Sequence, residues 1–154
     1  MAQTSDAIWS KLIDAAASRV NHRVLSTFVE AGNIAAAIMT DQGNIYTGVC
    51  IDAASALGMC AERNAVGSMI TCGESRITHL VCIRGKGFVY PPCGACRDLL
   101  MQMDPDAGEI KVLIDRKTRR WVRLKTLLPT WWESGIHGLV EHWNWQDEAD
   151  EEDG

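Results

Sequence analysis

Two short cysteine-containing segments constrain this chain more than any other feature. They are Cys60-Ala61-Glu62 and Pro92-Cys93-Gly94-Ala95-Cys96, and each follows a loop and opens a stretch of helical composition. Free N–H groups and the positive end of the helix dipole lie at such a position and favour the thiolate form of cysteine. The C-x-x-C spacing lets two sulfurs face one ion, and Cys60 adds a third. Three thiolates form a trigonal base for Zn²⁺ and leave a fourth position open for water.

Glu62 lies two residues after Cys60, close enough to contact a water on a metal ion held there. Other interpretations of these cysteines remain open at this point. A redox pair made by Cys93 and Cys96 would leave Cys60 and Glu62 unexplained, and three unrelated core cysteines are a further possibility. A closed structural zinc site would need a fourth protein ligand. The candidates for that ligand are Cys50, Cys72, Cys82 and His79.

Composition excludes several classes of protein. The chain has 154 residues, of which 47% are apolar and 23% charged, as expected for one globular domain. No apolar run is long enough to span a membrane and no secretory signal is visible, so we expect a cytoplasmic protein with reduced cysteines. Six acidic residues fall within 146–154, and without them the net charge changes from −5 to +1. A nearly neutral body predicts no nucleic acid polymer and no membrane as a partner.

Helical and strand patterns alternate along the chain. Ser5 and Asp6 can cap a first helix that carries apolar residues at helical spacing up to Ala16. Cys72, at a helix end, and Cys82, inside an apolar strand, are predicted to be core residues. The alternation of helices and strands along the chain predicts an α/β domain with helices on both faces of a mixed sheet. The later elements are predicted as strands 34–40 and 45–51, helix 61–71, strand 79–84, helix 96–103, and strands 110–114 and 121–124.

The chain resembles the cytidine deaminase superfamily, in its small homotetrameric branch. The similarity runs from about Ile34 to Trp132. It rests on Cys60-Ala61-Glu62-Arg63 and Pro92-Cys93-Gly94-Ala95-Cys96-Arg97, which match the signature of zinc nucleobase deaminases. Leu127-Leu128-Pro129 is a weaker match. The resemblance implies a three-layer α-β-α sandwich with a mixed five-stranded sheet, and a homotetramer with shared active sites.

The resemblance also implies a zinc site and a reaction. One Zn²⁺ per chain would be held by Cys60, Cys93 and Cys96, and a cytosine nucleoside or analogue would lose its C4 amine by hydrolysis. Glu62 is then the proton shuttle. Zinc with three thiolates is a poor Lewis acid unless donors withdraw charge from the sulfurs, and the implied role of Arg63 is to donate those hydrogen bonds.

Two groups within the superfamily compete for this sequence. The cysteine motifs are similar to cytidine deaminases, whereas the segment 43–49 and the tryptophans after Leu-Leu-Pro are more similar to blasticidin-S deaminase. The sugar-binding Asn-x-Glu of the family is replaced by Cys50-Ile51-Asp52, and cysteine is a poor hydrogen-bond partner. The substrate is therefore expected to be cytidine, deoxycytidine or a blasticidin-S-like antibiotic. The expected substrate-binding residues are Phe28, Cys50, Asp52, Ala61, Trp131 and Trp132.

The domain boundary is predicted at the end of the similarity. Residues 1–132 are expected to form the deaminase domain, and residues 133–154 a C-terminal extension with an acidic, disordered tail. Trp131 and Trp132 are expected to close an active site, either that of their own chain or that of a neighbouring subunit. A non-catalytic, zinc-containing nucleoside-binding protein is the alternative function, and the intact Glu62 argues against it.

Overall fold

The computed structural model describes residues 5–85 and 87–135. Within this part of the chain, helices and strands follow the order that the sequence predicts, and their ends lie within a few residues of the predicted ends. The helices are α1 (Ser5–Ala17), α2 (Ala61–Thr71), α3 (Gly94–Met101) and α4 (Leu124–Leu127). The strands are β1 (Arg23–Val24), β2 (Val29–Thr40), β3 (Ile45–Ala53), β4 (Ile77–Arg84), β5 (Phe88–Val89), β6 (Lys111–Leu113) and β7 (Trp121–Arg123).

One mixed sheet contains all the described strands. Its main path runs β1-β2-β4-β6-β7, with β3 paired to β2 and β5 paired to β4. The β4–β6 pair is parallel and the other pairs are antiparallel. The sheet has seven strands rather than the predicted five, because β1 and β5 are two-residue strands, too short to show a hydrophobic period.

The long strand β2 begins earlier than the sequence predicts. A bulge between Ala31 and Ala35 interrupts its register with β3, and the continuous apolar run that indicates a buried strand begins only at Ile34. Gly32 adopts a φ of +83° beside this bulge, and a Cβ there would lie 2.1 Å from the carbonyl oxygen of Asn21. Only glycine fits this position without displacing the Asn21 backbone.

The sheet separates two apolar cores. Ala36 and Ile38 of β2 point to the face covered by α2 and α3, whereas Ala37 and Met39 point to the face covered by α1. On the α1 face, Trp9 is fully buried. Since successive residues of a strand face opposite sides, strands that are apolar on both faces need a helical layer on each. The predicted three-layer α-β-α arrangement is confirmed.

A glycine sets the contact between α2 and the sheet. A Cβ on Gly48 of β3 would lie 2.3 Å from the backbone nitrogen of Ala65 and 2.5 Å from the carbonyl oxygen of Ala61. The backbone of α2 therefore rests directly on β3. This close approach fixes the first turn of α2, where Cys60 and Glu62 lie.

A carboxylate joins the β2–β3 hairpin to the end of α2. Asn44 and Tyr46 both donate to Oε1 of Glu74, at 2.6 Å each. The neighbouring Thr40 hydroxyl and then the hydrogen bonds from Tyr46 and Asn44 lower the pKa of Glu74, while its carboxylate raises the pKa of Tyr46 to about 12. The segment 43–49 thus has a structural function in this chain.

The two other cysteines with a predicted core position differ. Cys82 is buried within β4, as predicted. Cys72 is exposed, contrary to the prediction, because it caps the C-terminus of α2 and the buried stripe of that helix ends at Met69. No helix of the described residues is long and apolar enough to cross a membrane. The acidic tail lies outside the described residues.

Candidate active site

The three predicted zinc ligands lie at two helix N-termini. Cys60 is the N-cap residue of α2 and Cys93 that of α3, both with extended backbone (φ −65° and −66°). Neither side chain makes a capping hydrogen bond, although this position usually carries a Ser, Thr, Asp or Asn that does. Cys96 follows in the first turn of α3. The sulfurs are thus free to act as ligands.

The thiol groups converge on one point. The Sγ atoms of Cys60, Cys93 and Cys96 all lie within 4.8 Å of one another, and those of Cys60 and Cys93 are 3.5 Å apart. Sulfurs about 3.8 Å apart are what a tetrahedral zinc ion with its usual Zn–S bond length requires. No other cluster of three or more His, Cys, Asp or Glu ligand atoms occurs in residues 5–85 and 87–135, and none of the four candidates for a closed site joins this one. The donor set therefore fits zinc with one position left for a non-protein ligand.

The thiols do not ionise equally. Burial raises the pKa of Cys93, but the backbone N–H of Cys96 and the thiol of Cys60 outweigh it, so the pKa lies below the ordinary value. Burial and neighbouring groups raise the pKa of Cys60 and that of Cys96. A bound cation reverses such shifts, because it stabilises the thiolate of every ligand.

A cavity of about 590 Å³ opens beside the cysteine cluster. This volume is typical of pockets for small molecules. Glu62 lies in the first turn of α2 with only 6% of its surface exposed, and it lines the cavity together with Ala61, which is also buried. Burial and the adjacent Glu62 carboxylate raise the pKa of Cys82, which lines the same cavity from β4. The cavity thus brings the metal cluster and a sheltered carboxylate together.

Cys50 and Asp52 line the cavity from β3, as the resemblance implies. The Cys50 thiol accepts the backbone N–H of Ile34 at 3.2 Å and donates to Oδ2 of Asp52 at 3.9 Å. Cys50 is therefore engaged within the protein, whereas the Asp52 side chain is exposed and keeps a second carboxylate oxygen for other partners. Of the two, Asp52 is the group that can accept a hydrogen bond from a substrate.

Arg63 also lines the cavity, one residue after Glu62. Its Nε is buried without a hydrogen-bond partner among the described residues. No hydrogen bond from Arg63 to a cysteine sulfur is formed in this part of the chain, so charge compensation by Arg63 stays a prediction. Arg97, which the sequence assigns to the same motif, also lines the cavity, and its Nε and Nη1 donate to two backbone carbonyls.

Phe28, Trp131 and Trp132 do not line the cavity of the single chain. Phe28 is 71% exposed, close to the start of β2. Trp131 and Trp132 both donate to Asp98 on α3, and their rings lie 5.4 Å apart. Their substrate-binding role stays a prediction for an assembly of several chains.

The sequence did not point to three further polar side chains that line the cavity. They are Asn33, Arg84 and Tyr90. Arg84 ends β4 and lies opposite Ile34 in the β2–β4 register, next to Asn33. A charged residue at the end of a strand that is otherwise buried was the available signal.

Comparison with known proteins identifies this arrangement. The family profile described as "Cytidine and deoxycytidylate deaminase zinc-binding region" matches residues 11–111. This chain belongs to that family. The cytidine deaminase of Mycobacterium tuberculosis is 36% identical over 97 residues, which is 62% of this chain and 69% of that protein. The blasticidin-S deaminase of Bacillus cereus is 32% identical over 83 residues, 48% of this chain and 59% of that protein.

Solved structures agree with the fold. The crystal structure of the Mycobacterium tuberculosis cytidine deaminase has a TM-score of 0.65 and 31% identity, and covers 80% of this chain and 96% of that one. The enzyme from Mycobacterium leprae gives a TM-score of 0.66 and 27% identity, over 79% and 98% of the two chains. The chain is a zinc-dependent hydrolytic deaminase of cytosine compounds with one Zn²⁺ per chain, and a non-catalytic binding function is not favoured.

Proposed function

We propose that this deaminase acts on a small cytosine nucleoside or nucleoside analogue and that Glu62 carries the protons of the reaction. The observation that supports this proposal is the placement of a buried carboxylate and three convergent thiols on one cavity. Zinc, when bound by Cys60, Cys93 and Cys96, lowers the pKa of water and so supplies a nucleophile near neutral pH.

Glu62 is suited to move protons because it is sheltered and forms no ion pair within the described residues. It accepts a proton from the attacking water and delivers it to N3 of the pyrimidine ring. The C4–O bond forms, and Glu62 then takes the remaining proton from the new C4 hydroxyl and passes it to the amine, so that the C4=O double bond forms as the C4–N bond breaks. Ammonia leaves and the carboxylate returns to its charged form. A permanent salt bridge would hold this group in one charge state, and its absence permits the cycle.

Arg63 is proposed to balance the charge of the thiolates. Zinc with three thiolates would carry a negative formal charge, which would make it a weaker Lewis acid and less able to lower the pKa of water. A guanidinium beside the sulfurs offsets that charge, and its buried Nε is a donor that has no other partner in the described part of the chain.

Asp52 is proposed to bind the part of the substrate beyond the base. A plain nucleoside offers it only sugar hydroxyls, whereas an aminoacylated cytosine nucleoside such as blasticidin S carries a cationic group. A carboxylate forms a stronger, charge-assisted hydrogen bond to such a cation. Arg84 lies on the same cavity and supplies the opposite charge. Because of these charges, we add the antibiotic-like analogue as a second candidate substrate, beside cytidine and deoxycytidine.

We also propose a cytoplasmic homotetramer. Several large apolar side chains are exposed, and Met59 and Tyr90 among them line the cavity, a pattern that marks an interaction surface. A neighbouring subunit would cover them, and Trp131 and Trp132 of that subunit would reach the site. Light scattering tests this proposal, and a monomer at micromolar concentration would contradict it. The exposed apolar residues are Phe28, Leu57, Met59 and Tyr90.

A metal analysis combined with ultraviolet absorbance tests the function directly. The purified protein is expected to contain about one zinc per chain, in line with the three-thiolate site. Cytidine, deoxycytidine and blasticidin S are offered separately, and loss of absorbance with release of ammonia is expected for at least one. Zinc with binding but no turnover would contradict the proposal, and so would a metal-free protein whose thiols cycle with a reductant.

A further inference from the structure

Two consecutive residues of α3 bind the chain segment that follows α4. The first is Arg97, which lies directly after the zinc ligand Cys96. Its Nε donates to the carbonyl oxygen of Pro92 at 2.7 Å, and its Nη1 donates to the carbonyl oxygen of Leu127 at 3.0 Å. One guanidinium therefore connects the residue before Cys93 to the end of α4.

The second residue is Asp98. Its Oδ1 accepts the indole N–H of Trp131 at 2.6 Å and that of Trp132 at 2.8 Å. Hydrogen bonds to a charged acceptor are about twice as strong as neutral ones. Both tryptophans are therefore hydrogen-bonded to α3, two residues after the metal ligand Cys96. We name residues 127–132 the C-terminal bracket.

The turn that carries Cys93 needs such support. Cys93 makes no capping hydrogen bond of its own, and its backbone carbonyl is already used by the N–H of Arg97 at 2.9 Å. Pro92 has no N–H, so only its carbonyl can fix the peptide that leads into the ligand. Pro92 is buried. Without Arg97 a buried carbonyl would lose its partner beside the metal ligand.

We propose that the C-terminal bracket, acting through Arg97 and Asp98, holds the turn from Pro92 to Cys96 in its ligating geometry and sets the rate at which zinc leaves the site. Arg97 and Asp98 are positioning residues, since they act through the backbone of α3. Groups that orient metal ligands typically change metal affinity about 10–100-fold when they are removed. The inference concerns zinc retention and is independent of which nucleoside is the substrate.

Zinc transfer to an excess of a chromogenic chelator measures this rate, at a temperature well below unfolding. Arg97→Ala is expected to release zinc roughly 10-fold faster than the unmodified protein. Two conservative variants are expected to release zinc at rates between those of Arg97→Ala and the unmodified protein. Arg97→Lys keeps one donor, and Asp98→Asn keeps the acceptor oxygen. These conservative variants also keep the test informative if Arg97→Ala fails to fold. Asp98→Ala is expected to accelerate release several-fold.

A matched control separates positioning from general loosening of α4. Lys125→Ala removes the ion pair between Lys125 and Glu109 on the same short helix, without touching α3. Zinc release from this variant should equal that of the unmodified protein. Equal acceleration in Lys125→Ala and Arg97→Ala would overturn the proposal, and so would an unchanged rate in Arg97→Ala.

A thermodynamic cycle tests the role of the tryptophans. Changing both Trp131 and Trp132 to Phe keeps an aromatic ring at each position but removes both N–H donors to Asp98. If the bracket acts through these bonds, adding Asp98→Ala to that variant should not increase zinc release further. Additive effects would show that Asp98 acts independently of the bracket and would overturn its part of the proposal.

Discussion

Gly48 lies directly against the backbone of Ala65, so that a Cβ on Gly48 would come within 2.3 Å of the Ala65 nitrogen. This contact sets the depth at which α2 rests on β3, and the first turn of α2 carries both a zinc ligand and the proposed proton carrier. Gly48→Ala must push the helix away from the sheet. We expect a loss of roughly 2–3 kcal/mol in the free energy of unfolding, the usual cost of overpacking. Denaturant unfolding measures it.

Gly67 supplies the matched control on the same helix. It lies within α2, and nothing comes within 4 Å of a Cβ built there. Gly67→Ala should therefore stabilise the protein by up to about 1 kcal/mol, through helix propensity alone. If Gly48→Ala is as stable as the unmodified protein, the close packing of α2 on β3 is not what positions the site.

Glu62→Gln tests the proton carrier. Glutamine has the same shape but cannot accept and release a proton, so turnover should fall roughly 10²–10⁴-fold. Zinc content should stay unchanged, because Glu62 is not one of the three converging ligands. Steady-state kinetics and metal analysis on one sample give both values. Glu30→Gln, an exposed change on β2, is the control, and full activity in Glu62→Gln would refute the assignment.

Much of this site could be read from the sequence because it is local. Cys60, Glu62 and the C-x-x-C pair lie at helix starts, and helix starts are marked by composition and by the loops before them. The binding of residues 127–132 to α3 was not predictable, because Arg97 and Asp98 meet partners some 30 residues away through tertiary packing. Cys72 was misjudged for a related reason. Its burial depends on where the apolar face of α2 ends, and a helix end is uncertain by a residue or two.

Asp52→Asn should separate the candidate substrates. Asparagine still accepts a hydrogen bond from a sugar hydroxyl but carries no charge to pair with a cation. We expect kcat/KM for blasticidin S to fall about 10-fold or more, in the range of a lost charge-assisted bond, and that for cytidine to change much less. Asp14→Asn, the same exchange at an exposed position of α1 that does not line the cavity, is the control. Equal losses for both substrates would exclude charge recognition by Asp52.

His79 should make the stability of the fold depend on pH. It is 8% exposed, with its ring against the edge of Trp9 at 5.1 Å. Burial and then the charge of Lys111 lower its pKa from 6.5 to about 4. Between these values the unfolded chain binds a proton that the folded chain does not, so stability is complete above pH 6.5 and declines as the pH falls toward 4.

The decline attributable to His79 should be on the order of 2–3 kcal/mol across that window. Unfolding in denaturant at several pH values between 7 and about 5 measures it before most carboxylates take up protons. Glutamine at position 79 cannot titrate, so the stability of His79→Gln should depend much less on pH over this range than that of the unmodified protein. A His79→Gln profile as steep as that of the unmodified protein would assign the pH dependence to other groups.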